Sequence, residues 1–92
     1  MKKKFIFERN KEKNALLKKH RNISFEKIVE EIEKWNLIVI IPHHNQERYS
    51  HQKILAVYID DYIYAVPCVQ QWKKCFLKTI YKDRNLTAFY LS

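Results

Sequence analysis

Lys53 to Tyr81 reads KILAVYIDDYIYAVPCVQQWKKCFLKTIY, and this run holds most of the residues able to build a sheet. It divides into three consecutive antiparallel strands. Folding the first two at Asp60-Asp61 sets Ile59 against Tyr62, Val57 against Tyr64 and Leu55 against Val66 on one face. Tyr58 with Ile63, Ala56 with Ala65, and Ile54 with Pro67 fall on the other. The chain has no glycine, so either Asp61 takes a left-handed conformation or the loop is longer than two residues. Both faces of this ribbon are apolar, which predicts helices over both. The third strand, Cys75 to Tyr81, returns after a loop around Gln70 to Lys73, with Lys78 expected near the rim of the sheet.

The flanking sequence supplies the helices. Lys3 to Glu8, where Phe5 and Phe7 alternate with Lys4 and Ile6, is expected as an edge strand blunted by lysines. Asn10 is an N-cap for a helix over Lys11 to His20, whose C-terminal turn gathers Lys18, Lys19, His20 and Arg21 where the dipole favours cations. Asn22 is a left-handed stop. Ser24 caps a second helix that buries Phe25, Ile28, Val29 and Ile32, puts Glu30, Glu31 and Glu33 toward solvent, and ends at Asn36. Leu37 to Pro42 (LIVIIP) forms a strand that pairs with the one starting at Lys53. Asp83 caps a last short helix from Arg84 to Leu91. The sum is one α+β domain over residues 1–92: a central antiparallel meander, two N-terminal helices and a short C-terminal helix.

Charge selects the partner class. Eighteen Lys and Arg residues against 10 acidic ones give +8, which suits a polyanion or an acidic protein. No apolar run approaches the roughly 20 residues that span a bilayer, so no membrane partner is expected. The basic start MKKKFIFERN runs into further charges instead of a signal-peptide core, so the expected location is cytoplasmic. In that compartment Cys68 and Cys75, near enough to bridge if the 70–73 loop is tight, are expected as separate buried thiols.

The segment His43-His44-Asn45-Gln46-Glu47-Arg48-Tyr49-Ser50-His51-Gln52 is a ten-residue polar loop dense in reactive groups. Such groups agree with metal-free RNA cleavage without demanding it: that reaction needs a base for the 2′-hydroxyl, an acid for the leaving oxygen and cations to hold the phosphate. His43, His44 and His51 supply imidazoles able to serve as acid or base, Arg48, Lys53, Lys78 and Arg84 supply cations, and Tyr49 can donate a proton or stack on a base. Lys13, Lys19, Arg21 and Lys82 extend the RNA-binding set. The duller alternatives are a solvated loop, cations that merely flank strand edges, and a Lys78 that snorkels past apolar neighbours. His43 and His44 are adjacent and point apart in an extended chain, and no carboxylate pair or cysteine completes a metal site. Neither a metal nor another cofactor is expected.

At this point a family likeness enters. Phe7-Glu8-Arg9-Asn10, Lys13-Asn14 and the run from Leu17 through Asn22-Ile23-Ser24-Phe25-Glu26 resemble the opening of BrnT-like toxins of type II toxin–antitoxin systems. Pro42-His43, Asn45-Gln46-Glu47, Tyr49, Gln52, Phe76-Leu77-Lys78-Thr79-Ile80 and Arg84-Asn85-Leu86-Thr87 continue the likeness across almost the whole chain. Arg9 stands where the family commonly has tryptophan, and Asn22 where it has a turn glycine. The resemblance implies a RelE-like fold, an endoribonuclease that cuts mRNA, free or on the ribosome, and so inhibits translation, and a cognate antitoxin that silences it. Exposed strand edges with Trp35 and Trp72 point to a homodimer or a toxin–antitoxin complex. The competing class is a non-enzymatic module of the same fold that binds RNA, the ribosome or an acidic partner.

Overall fold

A computed structural model describes residues 6–45 and 47–91. The elements are β1 (Ile6–Arg9), α1 (Lys11–Arg21), α2 (Phe25–Glu33), β2 (Leu37–Pro42), β3 (Gln52–Ile59), β4 (Tyr62–Gln71), β5 (Lys74–Leu77), β6 (Tyr81–Lys82) and α3 (Arg84–Leu91). The sheet runs β1-β5-β4-β3-β2, with β6 also against β4.

The β3–β4 ribbon has the register set by its apolar alternation. Ile59 faces Tyr62, Val57 faces Tyr64 and Leu55 faces Val66, while Tyr58, Ala56 and Ile54 face Ile63, Ala65 and Pro67. Both turn residues are left-handed, Asp60 at φ 49° and Asp61 at φ 64°. That is the two-residue hairpin geometry normally given to glycine, and the Tyr58 hydroxyl fastens it by donating to Asp61 Oδ1 at 2.6 Å.

The caps fall where the side chains predict. Asn10 and Ser24 accept from the amides of Lys13 and Lys27, Asp83 accepts from Leu86, and Asn22 ends α1 at φ 54°. Leu17, Ile23, Phe25 and Ile28 from the α1–α2 region cover one sheet face, meeting Leu55, Val57, Val66, Cys68, Cys75 and Leu77. Phe25 and Ile28 are wholly buried, each contributing roughly 1.5–3 kcal/mol.

Asn14 ties the two helices together. Its buried amide donates to both Glu26 carboxylate oxygens at 2.9 and 3.0 Å, and its oxygen accepts from the Phe25 amide at 2.9 Å. Arg9 adds an ion pair to the same carboxylate at 2.6 Å, which gives this cation a definite structural partner. Asn14, then Arg9 and Lys18, hold the Glu26 carboxyl down to about 2.

Several expectations are corrected. The sheet is mixed, because β1 joins the edge in parallel with β5, Ile6 opposite Lys74 and Arg9 opposite Leu77. The lysine-blunted part of the first strand, Lys3 to Phe5, lies outside the described residues. The third strand is split: β5 stops at Leu77, the Lys78 amide still donates to Pro67 O, Thr79 and Ile80 leave the ladder, and β6 resumes beside Tyr64 and Ala65. Wholly buried Ile80 and the Arg21 bond to its carbonyl at 2.6 Å hold that crossing toward the helices.

The second helix ends at Glu33 with Lys34 as cap, and Trp35 takes the left-handed position at φ 69°. Glu31 is not on the solvent side. It is buried, accepts from Asn36 at 2.6 Å and pairs with Lys27 at 3.0 Å, which together hold its carboxyl below the usual range, the lysine foremost.

Helices do not cover both faces evenly. On the second face Ala56, Ile63 and Ala65 are fully buried, and α3 packs on β4, with the Ile63 amide donating to Thr87 Oγ1. Farther along that face Ile54, Pro67 and Val69 are only half-buried. The cysteines are buried free thiols set diagonally, since Cys68 faces Leu77 and Cys75 faces Gln70. Each thiol is the foremost influence on the other, Cys68 being pushed down and Cys75 up.

Candidate functional site

The loop between β2 and β3 is built. His43 N donates to Gln52 O, Gln52 N to Tyr49 O, and Tyr49 N to Asn45 O, which closes the segment on itself. Asn45 also accepts from the Arg48 amide at 3.3 Å and donates its own amide to His43 Nδ1 at 3.0 Å. The asparagine thereby sets the chain reversal and orients the first imidazole. A further bond, from Gln70 N to His51 O, ties the loop to the end of β4.

This folding draws four side chains together. The His43 and His44 rings stack with centroids 4.4 Å apart, the Tyr49 ring lies 4.4 Å from His43, and the Arg48 guanidinium sits 5.5 Å over Tyr49. Two adjacent histidines would point apart only in an extended strand. The chain bends at His44, just beyond the end of β2, and the rings meet. His43 and Tyr49 are half-buried, while His44, Arg48 and His51 are exposed. The loop therefore presents two imidazoles, a phenol and a guanidinium to solvent from a hydrogen-bonded support.

The other expected site residues distribute unevenly. Lys53 stands at the base of the loop, opposite Pro42 and Cys68. Lys78 is exposed and its amide donates to Pro67 O, partway along β4. Lys82 and Arg84 are at the far end: Lys82 faces Tyr64, and the Asp83 amide donates to Ile63 O. Val69, opposite Gln52 at the loop end, and Ile63 are roughly 20 Å apart along the strand. The expectation of one patch joining residues 43–53 to Lys78 and Arg84 is therefore corrected. Lys13 and Lys19 lie on α1, and Arg21 closes that helix close to Lys82.

Two further features stand out: Trp72, expected from the sequence only as an interface residue, and a recess that the sequence did not show. Trp72 is 96% exposed at φ 56°, in the β4–β5 turn at the loop end of the sheet. Its signal was an aromatic in a polar turn flanked by Gln71 and Lys73. The second is a cationic recess between the α1–α2 junction and the β3–β4 hairpin, lined by Lys18, Arg21, Lys27 and Lys82. Its signal was the alternation Tyr62, Tyr64 on one face of β4, over which Lys82 packs at 5.2 and 6.0 Å.

Among the described residues no group of three His, Cys, Asp or Glu side chains is placed to hold a metal ion, and no helix is long and apolar enough to cross a membrane. Comparison with protein-family models, with curated proteins and with solved structures found no match.

Proposed function

We propose that this protein is a cytoplasmic toxin of a type II toxin–antitoxin pair, of RelE/BrnT-like fold, that cleaves mRNA without a metal and is neutralised by an acidic antitoxin. The observation that carries this is the stack of His43, His44, Tyr49 and Arg48 on a hydrogen-bonded loop. One imidazole takes the proton of a ribose 2′-hydroxyl as its oxygen attacks phosphorus. The P–O5′ bond breaks, and the departing oxygen takes a proton from the second imidazole or from Tyr49. The products are a 2′,3′-cyclic phosphate and a 5′-hydroxyl end. Arg48 opposes the charge that accumulates on the phosphoryl oxygens. Trp72, almost fully exposed at the same end of the sheet, offers a face on which an unpaired base stacks.

Induced expression in a bacterial host, with growth and RNA 5′ ends followed together, tests this. New 5′-hydroxyl ends that accompany growth arrest, and their loss in His43→Ala with His44→Ala, are the expected result. Arrest without new ends would remove the nuclease and leave a toxin that acts by binding RNA, the ribosome or an acidic partner.

A further inference from the structure

The cleavage chemistry leaves one charged cavity unused. At the end of the sheet away from the histidines, the α1–α2 junction and the β3–β4 hairpin border an open recess of about 580 Å³ that shares lining residues with a second recess of about 400 Å³. Arg21, Tyr64 and Lys82 border both. The larger recess is of the size that takes a nucleotide, roughly 300–1,000 Å³.

Its charge is one-sided. Lys18, Arg21, Lys27 and Lys82 line the recess against a single carboxylate, Asp60. Two of these cations are already engaged, Lys18 with Glu26 at 3.6 Å and Lys27 with Glu31 at 3.0 Å. Arg21 and Lys82 form no ion pair among the described residues. Both are nevertheless held in place. Arg21 Nη1 donates to the Ile80 carbonyl at 2.6 Å, which spends one N–H of its fork and leaves the others for an oxygen acceptor. Lys82 is steadied over the Tyr62 and Tyr64 rings, keeping its three N–H donors. Two positioned cations that no carboxylate pairs with among the described residues, beside the Tyr64 ring, match a phosphate group better than an apolar ligand.

We propose that this recess is a phosphate-binding subsite that grips a phosphodiester of the RNA strand several nucleotides from the bond being cut, through Arg21 and Lys82. The choice of RNA as occupant rests on the nuclease proposal; the anion site itself does not. Placed at the opposite end of β4 from the loop, the subsite fixes the strand's register without touching the reacting atoms.

The test uses isotope-labelled full-length protein, titrated separately with inorganic pyrophosphate and with a single-stranded RNA, and followed by amide NMR shifts. Both ligands are expected to move the amides of Ile23, Tyr64 and Lys82. Lys82→Gln should lower the slope of log affinity for RNA against log salt by about 0.7, and Arg21→Gln with Lys82→Gln by about 1.4. Because Arg21 also supports Ile80, the single Lys82→Gln variant guards against a fold effect, with the remaining amide spectrum as the check. Pyrophosphate that leaves those amides unmoved overturns the subsite, as does an unchanged slope in both variants. Pyrophosphate seated in the recess of a protein with no RNA affinity overturns RNA as the occupant and the nuclease proposal together. An oligoglutamate peptide that perturbs the recess when pyrophosphate does not would reassign it to an acidic protein.

Discussion

Asn14 and Glu26, twelve positions apart, are joined by two hydrogen bonds of 3.0 and 2.9 Å that close the angle between α1 and α2. The same asparagine satisfies the buried Phe25 amide. Asn14→Ala strands that amide and strips the carboxylate of its donor, so unfolding free energy should fall by about 2–3 kcal/mol. Urea denaturation followed by far-ultraviolet circular dichroism measures it. A loss below about 0.5 kcal/mol would mean that water replaces the clamp.

The clamp also sets an acid limb. Glu26 titrates at about 2 in the folded protein, against an ordinary value of 4.5. A depressed folded value contributes stability that is complete above pH 4.5 and disappears as pH falls toward 2. The melting temperature should therefore decline across that window. In Glu26→Gln the decline should be shallower, and an identical slope in both proteins would assign the acid sensitivity elsewhere.

Trp72 separates stability from function. Its left-handed backbone is costly for a bulky residue and its side chain packs on almost nothing, being 96% exposed. Trp72→Gly should raise stability by about 1 kcal/mol, read from the denaturation midpoint. The same substitution should weaken single-stranded RNA binding by at least about fivefold, since a stacked base contributes about 1–3 kcal/mol. Higher stability with unchanged RNA affinity would remove Trp72 from the RNA path.

Cleavage and binding should part at the loop. His43→Ala and Arg48→Ala are each expected to slow RNA cleavage by about 100-fold or more, with the RNA dissociation constant changed by less than about fivefold. Single-turnover cleavage beside fluorescence anisotropy makes the comparison. Parallel losses of both would point to binding alone.

How far the sequence reached follows from the range of each interaction. The β3–β4 register was legible because two apolar faces alternate through a turn of two consecutive residues, all within one short run. The caps at Asn10, Ser24 and Asp83 were legible because each bond spans three positions. Glu31 was misplaced because a charge on a helix suggests solvent, while its partner Asn36 lies beyond the helix end. The break after Lys78 was hidden because Cys75 to Tyr81 looks like uninterrupted strand; Pro67 opposite Lys78 has no amide hydrogen to return the bond, and the long-range bond from Arg21 holds Ile80 off the ladder. The histidine loop could be found as a local cluster. Its distance from Arg84 could not, because that depends on two-residue β6 pairing with the first half of β4.

The parallel pairing of β1 with β5 has a consequence for synthesis. Ile6 meets Lys74, so the first strand waits for a partner made about 70 residues later. While the chain is still being translated, the edge of its sheet is unfinished and the strand that completes it has not yet been made. Until Leu77 has been synthesised, Ile6–Arg9 therefore has no ladder partner and that side of the sheet stays open.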